Sequence, residues 1–136
     1  VDLKCSPAEA TDISRMVTAL RQAERGANEE VCYLISGDLA HIGPKFRDPE
    51  PVNPRWLASS RAQDEQLLGR LARADAAGYF QVIADEGDER RICGLPPTWL
   101  TLEVVKPRRG YVLHYQQFVH PRGEESVSFA AAAFYA

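Results

Sequence analysis

The sequence predicts an α/β fold in three layers, helix–sheet–helix, with a mostly parallel sheet and a C-terminal antiparallel pair of strands. Residues 31–35 are a short, almost wholly apolar run of strand formers, as expected for a central strand covered on both faces. Segments with the apolar spacing of helices precede and follow this run. Two more runs of strand formers, at 111–115 and 126–130, are separated by a polar segment and predict the antiparallel pair.

The first helix has a start signal and an end signal. Ser6 is placed to act as its N-cap, and Pro7 takes the first helical position, where a missing N–H costs nothing. Gly26 marks the expected end. The apolar residues between these points recur at the spacing of one helix face: Ile13, Met16, Val17 and Leu20.

Three further helices are expected after the predicted central strand. Asn53 is placed to cap a long helical segment that runs in one or two pieces to about Arg73, and Asp75 to cap a shorter helix. The prolines at 96 and 97 preset the first turn of the last helix, immediately after Cys93. The core face of the long helix is expected to consist of Leu67, Leu68 and Leu71.

Composition and charge restrict the class of protein. With 45% apolar and 26% charged residues, residues 1–136 read as a single globular domain. Sixteen basic and nineteen acidic side chains give a net charge of -3, so no overall field attracts nucleic acid or an anionic membrane. No apolar run approaches the roughly 20 residues of a membrane span. We therefore expect neither a nucleic-acid nor a membrane partner.

The cysteines indicate a reducing compartment. There are three, an odd number, and no two form a C-x-x-C pair, which argues against both a disulfide framework and a zinc ribbon. A cytoplasmic location is the expectation. Cys5 and Cys32 are interpreted as buried, inert residues.

Asp38 and His41 form a candidate site directly after the predicted central strand. Open α/β sheets bind ligands beyond the carboxyl ends of their strands, and the i, i+3 spacing in a glycine-flanked turn can aim both side chains at one point. The pair could bind a divalent metal or act as an acid–base couple. The alternative is structural: Asp38 caps a turn and His41 is a hydrogen-bonded, partly buried histidine.

Cys93 is the second candidate. It lies before a predicted helix N-terminus, where free N–H groups favour the thiolate, the form that binds metal. The alternative is a buried, unreactive cysteine. His114 is ranked as structural rather than functional and His120 as solvated, while acidic residues at 64–65 and 85–88 are interpreted as exposed solubilising charges.

Four ordered segments together resemble one known family. Residues 35–43, 92–97, 113–115 and 126–130 are similar, in order and approximate spacing, to the C-terminal half of Memo proteins, including the AmmeMemoRadiSam system protein B members. The resemblance covers roughly residues 30–136.

The resemblance implies a metal site. Memo proteins are similar in fold to class III extradiol dioxygenases, non-haem iron enzymes that cleave catechol-type rings. By this resemblance, Cys93 and His41 match metal-binding positions, and Asp38 and His41 match the catalytic positions of the pocket. The implied cofactor is a divalent metal, with iron favoured over copper or zinc.

Two functions remain open at this point. The first is a metal-dependent redox or dioxygenase-like enzyme. The second is a non-catalytic scaffold that binds a peptide or partner in the same pocket. A small molecule or a peptide would be the ligand.

The chain also departs from the family. The full Memo domain is considerably longer, and its two other histidine ligands lie in an N-terminal half that has no counterpart here. We therefore expect residues 1–136 to be the C-terminal portion of a larger domain, with an exposed sheet edge. The missing half, or a second copy of the chain, is the expected partner.

Overall fold

The computed structural model describes residues 3–135, which contain four α-helices and three β-strands. None of these helices has both the length and the apolar character needed to cross a lipid bilayer. Short 3-10 turns occur at Pro7–Glu9 and Pro44–Phe46. The main elements, in chain order, are α1 (Thr11–Gly26), β1 (His41–Ile42), α2 (Pro54–Ala72), α3 (Ala76–Asp85), α4 (Leu95–Val105), β2 (Arg109–Val119) and β3 (Ser126–Tyr135).

The strands form one antiparallel sheet in the order β1-β3-β2. β2 and β3 pair along almost their whole length, from Arg109 opposite Tyr135 to Val119 opposite Ser126, with an irregularity at Leu113. The predicted C-terminal antiparallel pair is thus confirmed. β1 is a two-residue strand that pairs with the beginning of β3.

The predicted helix signals are also confirmed in most details. The side-chain oxygen of Asn53 accepts a hydrogen bond from Trp56 N–H at the start of α2, and Asp75 accepts one from Gly78 N–H at the start of α3. α1 ends at Gly26. Its start differs from the prediction, because Ser6 caps the short 3-10 turn and α1 itself begins at Thr11.

The expected mostly parallel sheet is not formed by residues 3–135, since all their strand pairs are antiparallel. Residues 31–35 do not form a central strand, and within the described chain residues 29–37 make no backbone hydrogen bond. Leu34 is 92% exposed. The apolar composition of this run indicates a buried strand, but no neighbouring segment offers the hydrogen bonds that a strand requires.

The helices cover one face of the sheet. α2 packs against β2, while α3 and α1 both pack against α4. The buried core lies between these helices and the inner sheet face, where Ala130 and Phe134 contact it. The opposite face carries large exposed residues in two pairs, Tyr111 with Tyr135 at one end of the β2–β3 pair and Phe118 with Phe129 towards the other. The described residues therefore form two layers, not the predicted three.

Candidate metal centre

The structure brings Asp38, His41 and Cys93 together. Asp38 precedes β1, His41 begins β1, and Cys93 lies in the loop between α3 and α4. One potential ligand atom from each side chain lies within 4.8 Å of the other two. His41 Nε2 and Asp38 Oδ2 are 3.6 Å apart, and the Asp38 side chain is half exposed. The predicted meeting of these three residues in one site is observed.

Two glycines allow the segments that carry Asp38 and Cys93 to meet. A Cβ atom on Gly37 would lie 2.7 Å from the Cα of Gly94, and a Cβ on Gly94 would lie 2.6 Å from the carbonyl oxygen of Asp38. Both distances are far shorter than a normal carbon contact. Side chains at these positions would therefore separate the two segments, so the close approach depends on glycine.

Backbone hydrogen bonds fix the Cys93 side of the site. The N–H of Gly94 donates to the Asp38 carbonyl at 2.9 Å. The N–H of Asp38 points at Cys93 Sγ, 3.2 Å away. Cys93 is exposed, so these backbone contacts fix its segment and leave the sulfur accessible.

The His41 ring is held in one orientation. Its Nδ1 atom lies 3.0 Å from the carbonyl oxygen of Arg91 and 3.2 Å from that of Leu39. Because carbonyl oxygens only accept, Nδ1 carries a proton, and Nε2 is the ring nitrogen that faces Asp38. The edge of the Phe46 ring packs against the imidazole, with 5.1 Å between centroids.

Arg91 and Asp48 clamp the loop that orients His41. The Arg91 guanidinium makes two hydrogen bonds to the Asp48 carboxylate, at 2.7 and 3.1 Å, and a third to the His41 carbonyl at 3.1 Å. Asp48 also accepts from Gly43 N–H at 2.8 Å. Burial alone would raise the pKa of Asp48, but the hydrogen bonds from Arg91 and Gly43 outweigh it and hold the pKa below its ordinary value.

A buried ion pair supports the same loop from behind. Arg90 contacts Asp64 on α2 and donates to Glu86 at 2.8 and 3.0 Å. The Arg90 carbonyl accepts from His41 N–H at 2.7 Å. Burial by itself would lower the pKa of Arg90, but hydrogen bonds and charge from Glu86 and Asp64 raise it. The guanidinium therefore stays charged in the interior.

The interpretation of Asp64 as an exposed charge is wrong. The residue is 0% exposed, and Tyr115 O–H donates to its carboxylate at 2.8 Å. The sequence analysis missed the burial of Asp64 because it classified the residue by its charge alone. Its position carried the signal: Asp64 lies three, four and seven residues before the leucines that form the core face of α2, and this spacing places it on the same helix face.

The other candidate residues are not part of the group formed by Asp38, His41 and Cys93. Cys5 and Cys32 are exposed, which contradicts the prediction that they are buried. For Cys32 the reason is the missing strand partner described above. His114 is exposed on β2. His120 Nδ1 lies 3.6 Å from Glu124 in the loop between β2 and β3.

The fold and this site together define an α/β protein with a three-residue candidate metal centre at the end of a small antiparallel sheet. The chain belongs to the Memo family, because the family model for Memo-like protein matches residues 6–135. This confirms the family resemblance that the sequence motifs indicate.

A curated relative agrees with the family assignment. The chain is 26% identical over 105 residues to a MEMO1 family protein of Aquifex aeolicus (strain VF5). The alignment covers 75% of this chain and 26% of the relative. The chain therefore spans about a quarter of the length of the relative that it matches.

Proposed function

We propose that this Memo family protein binds a divalent transition metal through His41 Nε2 and Cys93 Sγ, with Asp38 beside them, and acts as a redox or dioxygenase-like enzyme. The observation that carries the proposal is the proximity of an imidazole, a thiol and a carboxylate whose ligand atoms lie within 4.8 Å of one another. The Arg91 carbonyl supports it further, since it leaves Nε2 as the free nitrogen.

The donor set fits such a metal. A thiolate with an imidazole suits iron, copper or zinc and disfavours magnesium or calcium, which prefer oxygen ligands. Ligands about 2.0–2.3 Å from an ion can lie at most about 4.6 Å from each other. The observed separation is close to this limit, so a small side-chain rotation is sufficient for binding. Among these metals we favour iron, on the resemblance to extradiol dioxygenases.

In this proposal Asp38 and His41 have separate catalytic tasks. Asp38 is half exposed and adjacent to the imidazole, so its carboxylate can accept a proton from a hydroxyl group of a bound small molecule. His41 holds its own proton at Nδ1, against the Arg91 carbonyl, and orients the site. A bound redox metal would supply the electron-transfer chemistry.

The test is elemental analysis of the protein purified without added metal or chelator. His41→Ala and Cys93→Ser should each lose most of the bound metal. Cys32→Ser and His120→Ala are matched controls, because they remove the same residue types from exposed or peripheral positions. Metal content that stays at the wild-type level in both site variants would contradict the proposal.

The second candidate function is a non-catalytic scaffold that uses the same pocket. It is favoured by one observation, the exposed apolar face of the sheet with Tyr111, Phe118, Phe129 and Tyr135, since such patches mark interaction surfaces. Capture of a partner protein that persists after the metal has been removed by chelator would support it. Loss of the partner together with the metal would count against it.

We also propose that the protein works in the cytoplasm. The support is that Cys5, Cys32 and Cys93 are all free thiols and all exposed. Fractionation of the native cell tests this, and recovery outside the cytoplasm would contradict it.

A further inference from the structure

The Asp64 carboxylate joins two sets of hydrogen bonds between α2 and the sheet. One of its oxygens accepts from the Arg90 guanidinium, and the other accepts from the Tyr115 hydroxyl at 2.8 Å. Asp64 is 0% exposed and Arg90 is 4% exposed. Among the described residues, every buried side-chain nitrogen or oxygen has a hydrogen-bond partner. These buried groups therefore satisfy one another within residues 3–135.

The first set runs through Arg90 to His41. The side chain of Arg90 contacts Asp64, while its carbonyl oxygen accepts from the His41 N–H at 2.7 Å. The next carbonyl along the chain, that of Arg91, lies 3.0 Å from Nδ1 of the His41 ring. The position of residues 90–91 therefore sets both the main chain and the ring orientation of His41.

The second set runs through the sheet to Ala40. Ser128 Oγ on β3 accepts from the Ala40 N–H at 2.8 Å, and the Ser128 side chain is hydrogen-bonded to Tyr115 on β2. Burial and the hydrogen bond to Asp64 raise the pKa of Tyr115, and the hydrogen bond from Ser128 opposes them. Each donor in this set therefore points towards Asp64, from Ala40 to Ser128, from Ser128 to Tyr115, and from Tyr115 to the carboxylate.

The two sets form a closed circuit, because Ala40 and His41 are consecutive residues. Both of their amide N–H groups are held, and the two routes meet at one carboxylate. We call this arrangement the Asp64 circuit. Hydrogen bonds in a connected network strengthen one another. The one polar atom of His41 that is not hydrogen-bonded to residues 90–91 is Nε2, which faces Asp38.

We propose that Asp64 is a positioning residue of the metal centre, which fixes the main chain at Ala40 and His41 through both sides of the circuit and so directs Nε2 of His41 at the metal. The inference rests on the proposed metal binding. A carboxylate suits this role because its two oxygens accept in different directions, and its bond to a guanidinium is strengthened by charge. Partners that orient a metal-binding histidine typically change metal affinity about 10–100-fold.

Amide hydrogen exchange of the intact, metal-free protein tests the circuit. Tyr115→Phe removes the hydroxyl that connects Asp64 to Ser128 and keeps the aromatic ring. The amides of Ala40 and His41 should both exchange about tenfold faster, although the partner of the His41 amide is unchanged. Faster exchange at Ala40 alone would show two independent contacts and would overturn the circuit.

Tyr111→Phe is the matched control for this experiment. Tyr111 lies on the same strand as Tyr115 but is 45% exposed and belongs to neither side of the circuit. Its loss of a hydroxyl should leave both amide exchange rates at the wild-type value. Equal acceleration by the two tyrosine variants would also overturn the proposal.

Zinc affinity, measured by competition with a chelator, tests the consequence for the metal. Tyr115→Phe should weaken zinc binding at least about tenfold. Val17→Ala controls for a general loss of stability, because it truncates a buried core residue of α1 outside the circuit and should keep wild-type zinc affinity. Unchanged affinity in Tyr115→Phe, or an equal loss in Val17→Ala, would overturn the positioning role.

Ser128→Ala interrupts the same side of the circuit from β3. It should reproduce both effects of Tyr115→Phe, and it decides the question if the tyrosine variant does not fold. A wild-type protein that binds no zinc would refute the proposed function, and amide exchange would still decide whether the circuit exists. Normal zinc binding by the wild type together with wild-type behaviour of both variants would overturn the positioning role alone.

Discussion

The backbone N–H of Asp38 is directed at Sγ of Cys93, 3.2 Å away, although 55 positions separate the two residues in the chain. The contact joins a loop before β1 to the loop before α4 through the backbone, independently of the side chain of Asp38. Replacing that carboxylate would therefore leave the thiol in place. The position of the thiol depends instead on the close approach of Gly37 and Gly94.

Gly94→Ala should disrupt this approach. The new Cβ would lie 2.6 Å from the Asp38 carbonyl oxygen, so the two loops must separate, at a cost of about 1–3 kcal/mol in the free energy of unfolding. Gly69→Ala is the control, because a Cβ at that helical position meets nothing closer than 3.9 Å and should stabilise by up to about 1 kcal/mol. Urea denaturation measures both. Equal effects would contradict the account.

Asp64→Asn should be strongly destabilising. The change removes one of the two carboxylates that pair with the buried Arg90 guanidinium and leaves Glu86 as the other, so we expect a cost of about 2–3 kcal/mol, below that of a fully broken buried pair. Glu65→Gln, one residue away and well exposed, should change the free energy of unfolding by less than about 0.5 kcal/mol. Thermal unfolding of the two variants makes the comparison, and an effect of Asp64→Asn as small as that of Glu65→Gln would contradict the prediction, because Glu86 alone would then be sufficient for Arg90.

Asp48 should contribute to acid sensitivity. Its folded-state pKa lies below the ordinary 3.8, so the unfolded chain binds the proton more readily. The stabilisation is present above about pH 4 and is lost as the pH falls through the lowered folded-state pKa. Asp48→Asn should cost about 1 kcal/mol at neutral pH and flatten the decline below pH 4. A variant whose stability falls with acid as steeply as that of the wild type would contradict this.

Thiol labelling separates Cys93 from the other two cysteines. All three are exposed, so iodoacetamide should modify all three in metal-free protein. Saturation with zinc should protect Cys93 and leave Cys5 and Cys32 reactive. Peptide mapping by mass spectrometry gives the extent of modification at each site. Equal protection at Cys32 would point to non-specific binding.

The features that the sequence predicted correctly have local causes. Asn53 and Asp75 cap helices through hydrogen bonds to residues three positions away, so their signal is complete within one turn. The β2–β3 pair likewise follows from two adjacent runs of strand formers. The meeting of Asp38 with Cys93 was different, because it came from the family resemblance and no local pattern encodes it.

The features that the sequence predicted wrongly depend on tertiary neighbours. An apolar run such as residues 31–35 indicates what a segment can bury, but pairing also needs a strand within hydrogen-bond distance, and among residues 3–135 this run makes no backbone hydrogen bond. Asp64 shows the reverse case, since a charged residue is buried where Arg90 and Tyr115 satisfy it. That residues 1–136 are a single domain, and the C-terminal portion of a larger one, stays a prediction.

The most direct test of the central claim is a cobalt titration of the wild-type protein, Cys93→Ser and the control Cys32→Ser. Cobalt(II) substitutes for other divalent metals, and a thiolate ligand gives it a charge-transfer absorption in the near ultraviolet. We predict this absorption in the wild type and in Cys32→Ser, and its loss in Cys93→Ser. An unchanged absorption in Cys93→Ser would show that another thiol binds the metal and would contradict the proposed site.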